Sequence, residues 1–341
     1  MGNSLTTLTN NKLMPKVVDT VLEGNTFLTR MLLNAKKWPS SRQIEKSFKY
    51  QKNTQGSSFD GFDVSSVAAV DTRLKLTFDP KFYRIPVAIS LTDLSINRAD
   101  TNKVADLAAM ELESSSQDMA DDLGTIMYSD GTGNGGKDPL GLEAIIDDGT
   151  NAATYGGQTR ATYTTLNSTV TASAGTLSLA KMGTLYSNCS VGSATNPTLG
   201  LTTEDVFDLY EQLLEPQARI YKKVGEMSNK QGLEAGAGFT ALYHRGIPII
   251  ADEKCTTGVL YYINENYLEW SALPVAMTNA VKYGVEIEGN DYTNVKGLGF
   301  SWSDWILPAG QSAITSFVYL GGQLWSKSPR THGKLTGITS V

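Results

Sequence analysis

Residues 102–129 constrain the fold more than any other stretch. Val104, Leu107, Ala108, Leu112, Met119, Ala120, Leu123, Ile126 and Met127 recur at helical spacing. Asp100, Thr101 and Asn102 can cap the start. The other face is acidic, with Asp106, Glu111, Glu113, Asp118, Asp121 and Asp122. At about 1.5 Å per residue this helix is roughly 40 Å long, well above the average length. It predicts a spine along which other elements are laid. Ser114-Ser115-Ser116 interrupts the stripe with small residues, where a neighbour can pack close.

The segments before the spine read as strand. Ile44, Phe48 and Tyr50 fall on one parity, and so do Leu74, Leu76 and Phe78. Between them Asn53–Asp63 holds Gly56, Gly61 and several serines. The pattern predicts a long two-stranded excursion with a flexible tip, and Pro80 and Pro86 are expected to break the returning strand. A two-stranded ribbon is barely stable alone in water, so it must lie on something. Residues 1–35 are rich in Thr and Asn, with room for a helical turn or two but too polar to fold alone. Beyond the spine, 130–160 is a glycine-rich connection and 161–200 a Ser/Thr/Gly-rich stretch of weak periodicity. Thr202 and Thr203 cap a second helix with Val206, Leu209, Tyr210, Leu213 and Leu214 on one face, ending near Pro216. Residues 246–252, 258–264 and 312–325 are strand candidates.

Charge and composition narrow the function. The 341 residues suggest two domains or one elaborate one, and a core of that size needs no disulfide or metal staple. The net charge of −6 argues against a general nucleic-acid-coating protein. Residues 1–52 hold nine Lys or Arg (Lys12, Lys16, Arg30, Lys36, Lys37, Arg42, Lys46, Lys49, Lys52) against three acids, a net +6, which leaves −12 for the rest. A basic arm on an acidic body suits an acidic surface, either nucleic acid or a second copy. No apolar run approaches the length of a transmembrane helix. The start has no charged segment followed by an apolar one, so no signal peptide is expected. Two cysteines, Cys189 and Cys255, make neither a zinc site nor a disulfide framework and fit a reducing compartment.

The stretch Asp130-Gly131-Thr132-Gly133-Asn134-Gly135-Gly136-Lys137-Asp138-Pro139 partly fits three motifs. Gly131, Gly133 and Gly136 have dinucleotide-fingerprint spacing but lack the preceding strand and following helix. A Walker loop would need a hydroxyl where Asp138 stands, and Pro139 displaces the helix N-terminus. An EF-hand would need a bidentate Glu at Gly141. Glycines that end the spine and reverse the chain explain the stretch better. His244 and His332 have no nucleophile elbow near them and read as turn and tail residues. Asp147-Asp148 and Asp252-Glu253 read as turn carboxylates, and Trp302 and Trp305 as interface residues. No catalytic, cofactor or metal residue is expected.

The order of parts is diagnostic together with one run. That run is Tyr128-Ser129-Asp130-Gly131-Thr132-Gly133-Asn134-Gly135-Gly136-Lys137, then Gly141-Leu142-Glu143-Ala144-Ile145-Ile146-Asp147-Asp148-Gly149-Thr150, then Tyr155-Gly156-Gly157 to Arg160. It resembles the major capsid protein of tailed bacteriophages, of the Hong Kong 97 type. Residues 246–252, 261–264 and Ser328–Leu335 are similar to that family's axial core and closing strand. The resemblance implies an α+β Hong Kong 97-type capsid fold. Its parts are an N-terminal arm at 1–40, an extended β-hairpin loop at 41–90, a peripheral domain at 91–139 with the spine helix at 102–129, a mixed α/β axial domain at 140–300, and returning strands at 301–341.

The implied function is a structural shell protein, not an enzyme, of the icosahedral or prolate head around double-stranded DNA. It would assemble with itself as hexamers and pentamers in the host cytoplasm and reside in the virion, with no membrane contact. Phe59, Phe62, Arg73, Lys75 and Trp38 are the expected inter-subunit contacts. Lys12, Lys16, Lys36 and Lys37 form the basic arm toward DNA or a neighbour, and any DNA contact would be non-specific. A spine starting near 102 leaves no room for a cleaved scaffolding extension, which implies a separate scaffolding protein, along with a portal and room for a decoration protein. Lys75 and Lys81 lie where family cross-links start, but no partner Asn stands out. The rivals are an encapsulin-like bacterial nanocompartment shell, a nucleotide-binding enzyme built on the glycine loop, and a tail-tube or decoration protein.

Overall fold

A computed structural model describes residues 25–39, 42–64, 68–96, 101–190, 195–214, 221–223, 240–273, 300–303, 305–308 and 310–339. At 94–96, 101–109, 112, 113, 116, 221–223, 240, 241 and 300–302 it describes the backbone only. Lys12 and Lys16 lie outside the described residues.

The helices are α1 (Thr26–Leu33), α2 (Leu91–Ile96), the spine α3 (Thr101–Tyr128), α4 (Leu179–Cys189) and α5 (Glu204–Leu214), with single turns at Gly133–Gly136 and Leu142–Ile145. The strands, in order, are β1 (Lys36–Lys37), β2 (Ile44–Lys49), β3 (Arg73–Phe78), β4 (Lys81–Ser90), β5 (Thr154–Tyr155), β6 (Gln158–Thr159), β7 (Thr169–Thr171), β8 (Gly175–Thr176), β9 (Leu199–Thr202), β10 (Tyr221–Lys223), β11 (Thr240–His244), β12 (Ile247–Ala251), β13 (Leu260–Ile263), β14 (Leu268–Ala272), β15 (Phe300–Trp302), β16 (Ala313–Ser326), β17 (Gly333–Leu335) and β18 (Ile338–Thr339). The fold is α+β.

Two sheets organise these elements. The first runs β1-β14-β16-β15, with β4 laid antiparallel along β16 from Ser90↔Ala313 to Lys81↔Gly322. Pro86 was expected to break its strand; it sits inside β4 instead, opposite Phe317. A strand with one neighbour tolerates proline because one row of N–H groups has no ladder to serve. Pro80 does separate β3 from β4.

The second sheet runs β10-β11-β12-β9-β13-β17-β7. Its faces belong to different cores. Leu199, Leu201, Ile250, Tyr261 and Ile263 join a cluster with α1, α3 and β14, while Ile249, Leu260 and Tyr262 join one under α4 and α5. A sheet covered on both sides reads as a continuous apolar run, which is why Leu260–Ile263 is buried at every position.

The last turns of the spine bury Met119, Leu123 and Met127 at the centre of the larger cluster. The N-terminal half of the expected stripe has side chains outside the described residues. Helix α1 crosses the spine with Phe27, Leu28, Met31 and Leu32 buried, each worth about 1.5–3 kcal/mol relative to exposure. The stretch expected to be an N-terminal arm therefore includes, at Thr26–Leu33, a helix built into the core. The Asn25 side chain donates to the Ala120 carbonyl at 2.7 Å, a reach that Gly124 permits by having no Cβ to meet it. The Phe27 N–H, an orphan of the first helical turn, is satisfied by Asp252 Oδ2 at 3.1 Å, so a distant carboxylate complements the helix dipole. Asp252, read from the sequence as a turn residue, is thus also the remote cap of α1.

Candidate assembly surfaces

Strands β2 and β3 make the expected ribbon, in antiparallel register from Ile44↔Phe78 to Lys49↔Arg73. Its base is inside the molecule. Ile44, Leu74, Leu76 and Phe78 are buried, and the Phe78 ring meets Tyr155 at 5.2 Å and Trp325 at 5.7 Å. The β5–β6 hairpin clamps this base from the side. The Thr77 N–H donates to Gly156 at 3.0 Å, and Gln158 Nε2 donates to the Lys75 carbonyl at 3.0 Å. Gly156 has φ +55°, and a Cβ there would come within 2.9 Å of the Leu76 Cβ, so glycine is required.

The tip faces water. Phe59 is 78% exposed, Phe62 fully so, and Val64 is 96% exposed. Sequence reasoning named the two aromatics and missed Val64, which has no pattern around it. Arg73 is exposed at the start of β3, its N–H 3.3 Å from Asp71 Oδ1. Lys75 pairs with Glu45 across the ribbon at 2.5 Å, both half-exposed. Trp38 differs from the expectation of a contact with a neighbouring subunit. It is 6% exposed and packs in the larger core, because its N–H continues the β1–β14 pairing by donating to the Ala272 carbonyl at 2.9 Å. Lys36 is held by Glu269 at 2.9 Å, and Lys327 meets the same carboxylate at 2.8 Å. These two lysines keep the Glu269 carboxyl below its usual range despite its burial. Lys37 is exposed.

A cavity of about 380 Å³ opens between the outer end of the paired strands and the body, lined by Phe48, Lys49, Lys52, Tyr267 and Arg330 among others. Its cations come from segments far apart in the chain, so no local motif announces it.

The glycine turn spends its donors internally, while its Gly136 carbonyl accepts from Lys81 Nζ. Asp130 Oδ1 accepts from the Thr132 N–H at 2.9 Å and hydroxyl at 2.7 Å, which holds its carboxyl below the usual range. Asn134 Nδ2 donates to Asp138 Oδ1 at 2.7 Å, and the Gly136 and Lys137 N–H groups return to Thr132 and Gly133. Asn134, Gly135 and Gly136 have φ of +51°, +68° and +78°, the left-handed geometry of a chain reversal. Donors turned onto the loop's own carbonyls do not cradle a phosphate.

The histidines are corrections. Both are buried rather than in a surface turn or polar tail. His244 stacks on Tyr262 and shares a 2.7 Å hydrogen bond between Nδ1 and its hydroxyl. Desolvation, helped by Arg245, lowers its pKa to about 4. His332 Nδ1 accepts the Asn264 N–H at 3.1 Å, so Nε2 carries the proton and donates to Ser326 Oγ at 2.7 Å. Desolvation lowers its pKa to about 3. Arg160 is another burial that sequence reasoning missed. Its guanidinium donates to the carbonyls of Ala144, Ile145, Asp147 and Leu166, stitching the loop after the spine to itself. Among the described residues no group of His, Cys, Asp and Glu could hold a metal ion, and no helix is long and apolar enough to cross a membrane.

No family model matches the sequence, and no curated protein matches it. Solved structures do match the fold. The chain is similar to a protein in the cyanophage A-1(L) capsid asymmetric unit, at 15% identity and TM-score 0.65, covering 92% of this chain and 93% of that one. It is also similar to the holo-SrpI encapsulin complex from Synechococcus elongatus PCC 7942, at 11% identity and TM-score 0.56, covering 92% and 87%. A third is the capsid of an empty GTA particle, at 10% identity and TM-score 0.50, covering 92% and 90%. The chain therefore has the shell-protein fold, of Hong Kong 97 type, that the sequence implied.

Proposed function

We propose that the chain is a major capsid protein, a structural subunit without enzymatic activity that closes the head of a tailed phage around double-stranded DNA. The observation that carries this reading is the ribbon. Its base belongs to the chain's own core, while Phe59, Phe62 and Val64 stand in water at the end of an arm, on a fold similar to a phage shell over nearly its whole length. Apolar side chains presented this way suit a neighbouring copy. Many such overlaps around a ring make a strong assembly from weak contacts.

The division of labour follows the resemblance: arm 1–40, ribbon 41–90, peripheral domain 91–139 and 301–341, axial domain 140–300. The sheets add two exchanges to it, since β14 pairs with β16 and β17 pairs with β13. Hexamers and pentamers of this chain, a separate scaffolding protein, a portal, a decoration protein and assembly in the host cytoplasm complete the proposal. An encapsulin-like nanocompartment shell is the second reading, favoured by the likeness to the SrpI complex.

Size-exclusion chromatography with negative-stain electron microscopy tests the proposal, on the chain alone and with its genomic neighbours. Closed shells or rings of five or six are expected. A monomer that persists beside a candidate scaffold would sink both shell readings. An adjacent cargo-enzyme gene, in place of scaffold and portal genes, would favour the nanocompartment.

A further inference from the structure

Lys334 lies in the middle of β17, between β13 and β7, and Asp147 follows the single turn Leu142–Ile145. Both side chains are withdrawn from solvent, at 2% and 1% exposure, and Nζ stands 3.8 Å from Oδ1. Oδ1 has no hydrogen-bond partner. Oδ2 accepts three backbone N–H groups, from Gly149 at 2.8 Å, Asn151 at 3.1 Å and Ala152 at 2.9 Å. A buried pair this far apart gains little for the desolvation of two charges. Burial pushes the Lys334 amine down, and Asp147, Glu143 and Asp148 only partly oppose it. A low dielectric disfavours the charged form of the amine. The three N–H groups on Oδ2 have the arrangement of an oxyanion hole, aimed where charge would gather if Asp147 Cγ were attacked.

We propose that Lys334 and Asp147 are joined by an intramolecular isopeptide bond. The proton first passes from Lys334 to Asp147, which leaves an amine lone pair facing a carboxylic acid. Nζ adds to Cγ, and the negative charge on Oδ2 is held by Gly149, Asn151 and Ala152. Oδ1 then leaves as water, taking the carboxyl proton and one amine proton, while the C–N bond remains as a neutral amide. Glu143 Oε1 accepts from Asn151 Nδ2 at 3.2 Å, which fixes a further carboxylate beside the same loop. Nothing is oxidised and no co-reactant is needed. The product replaces two buried charges with an amide and ties β17 to the loop behind the spine. The inference is independent of the shell reading.

The test is the intact mass of the denatured full-length chain, followed by a tryptic map. The expected wild-type mass is one water below the sequence mass, after allowance for the initiator methionine. Trypsin should fail after Lys334, and residues 147 and 334 should be recovered on joined peptides. Lys334→Arg keeps the charge but should restore the full mass and separate the peptides. A wild-type chain at full mass with 147 and 334 on separate peptides overturns the proposal, whatever the variant does. So does a water deficit that persists in Lys334→Arg.

Discussion

The two ends of one ribbon obey different rules. At the base, each apolar residue of β3 answers to a partner in the same chain: Leu76 to the β5–β6 hairpin, Phe78 to Tyr155 and Trp325. At the tip, Phe59, Phe62 and Val64 answer to nothing among the described residues. The base is thus a problem of folding and the tip a problem of association. A substitution should reveal which by whether it moves the stability of the isolated subunit.

Ranked by that measure, Phe78→Ala comes first. It removes a large buried ring and should cost about 3–5 kcal/mol in urea unfolding of the monomer, with assembly lost as a consequence. A loss below about 1 kcal/mol would mean that the base is not part of the core. Gly156→Val comes next: it forces a branched side chain into a left-handed backbone against Leu76, for about 1–3 kcal/mol.

Acid is the third probe. His332 donates to Ser326, whose N–H donates to the Tyr155 hydroxyl at 2.7 Å, and that tyrosine ring supports Phe78. The folded pKa values of about 3 for His332 and about 4 for His244 lie below the ordinary 6.5. Both residues are therefore neutral, folded or unfolded, above pH 6.5, and their share of stability is complete there. That share is lost as pH falls from 6.5 through about 4 and then about 3. Melting temperature followed from pH 7 to 4 should decline, and less steeply in His244→Phe. Equal slopes in the two proteins would count against the assignment.

Phe62→Asp should leave the monomer within about 0.5 kcal/mol of wild type and still abolish shells in the electron microscope. Shells that form normally would remove the tip from the interface. Lys75→Ala is the smallest case. An exposed pair such as Lys75–Glu45 is screened by water, and neither unfolding nor assembly should change measurably.

The sequence was most legible where periodicity is long. The spine spans Thr101–Tyr128 against an expected 102–129, 246–252 and 258–264 contain their strands, and 312–325 covers all of its strand but Ser326. Helix α4 was missed inside a stretch dismissed for its Ser, Thr and Gly content. The signal was nevertheless present: Ser178 caps Lys181, and Met182, Leu185 and Cys189 share one buried face. Helix α1 was underrated because its polar neighbours hid four buried residues in eight. At the candidate surfaces the exposed tip aromatics were legible, since two phenylalanines among glycines and serines have little to pack against. The burial of Trp38, His244, His332, Asp147 and Arg160 was not. Single buried polar or aromatic residues create no period, and their partners are set by tertiary contacts between remote segments.

Strand β16 has one more consequence. The chain leaves the ribbon at Asp79, turns at Pro80, and lies against β16 as the ten-residue strand β4. The two run antiparallel along that whole length, so tension drawn along β4 is shared by every rung at once and meets the ladder in shear. A hairpin attached only by its end would peel one bond at a time. The ribbon is spliced into the sheet like one rope into another, and its grip grows with the length of the overlap rather than the strength of any single bond.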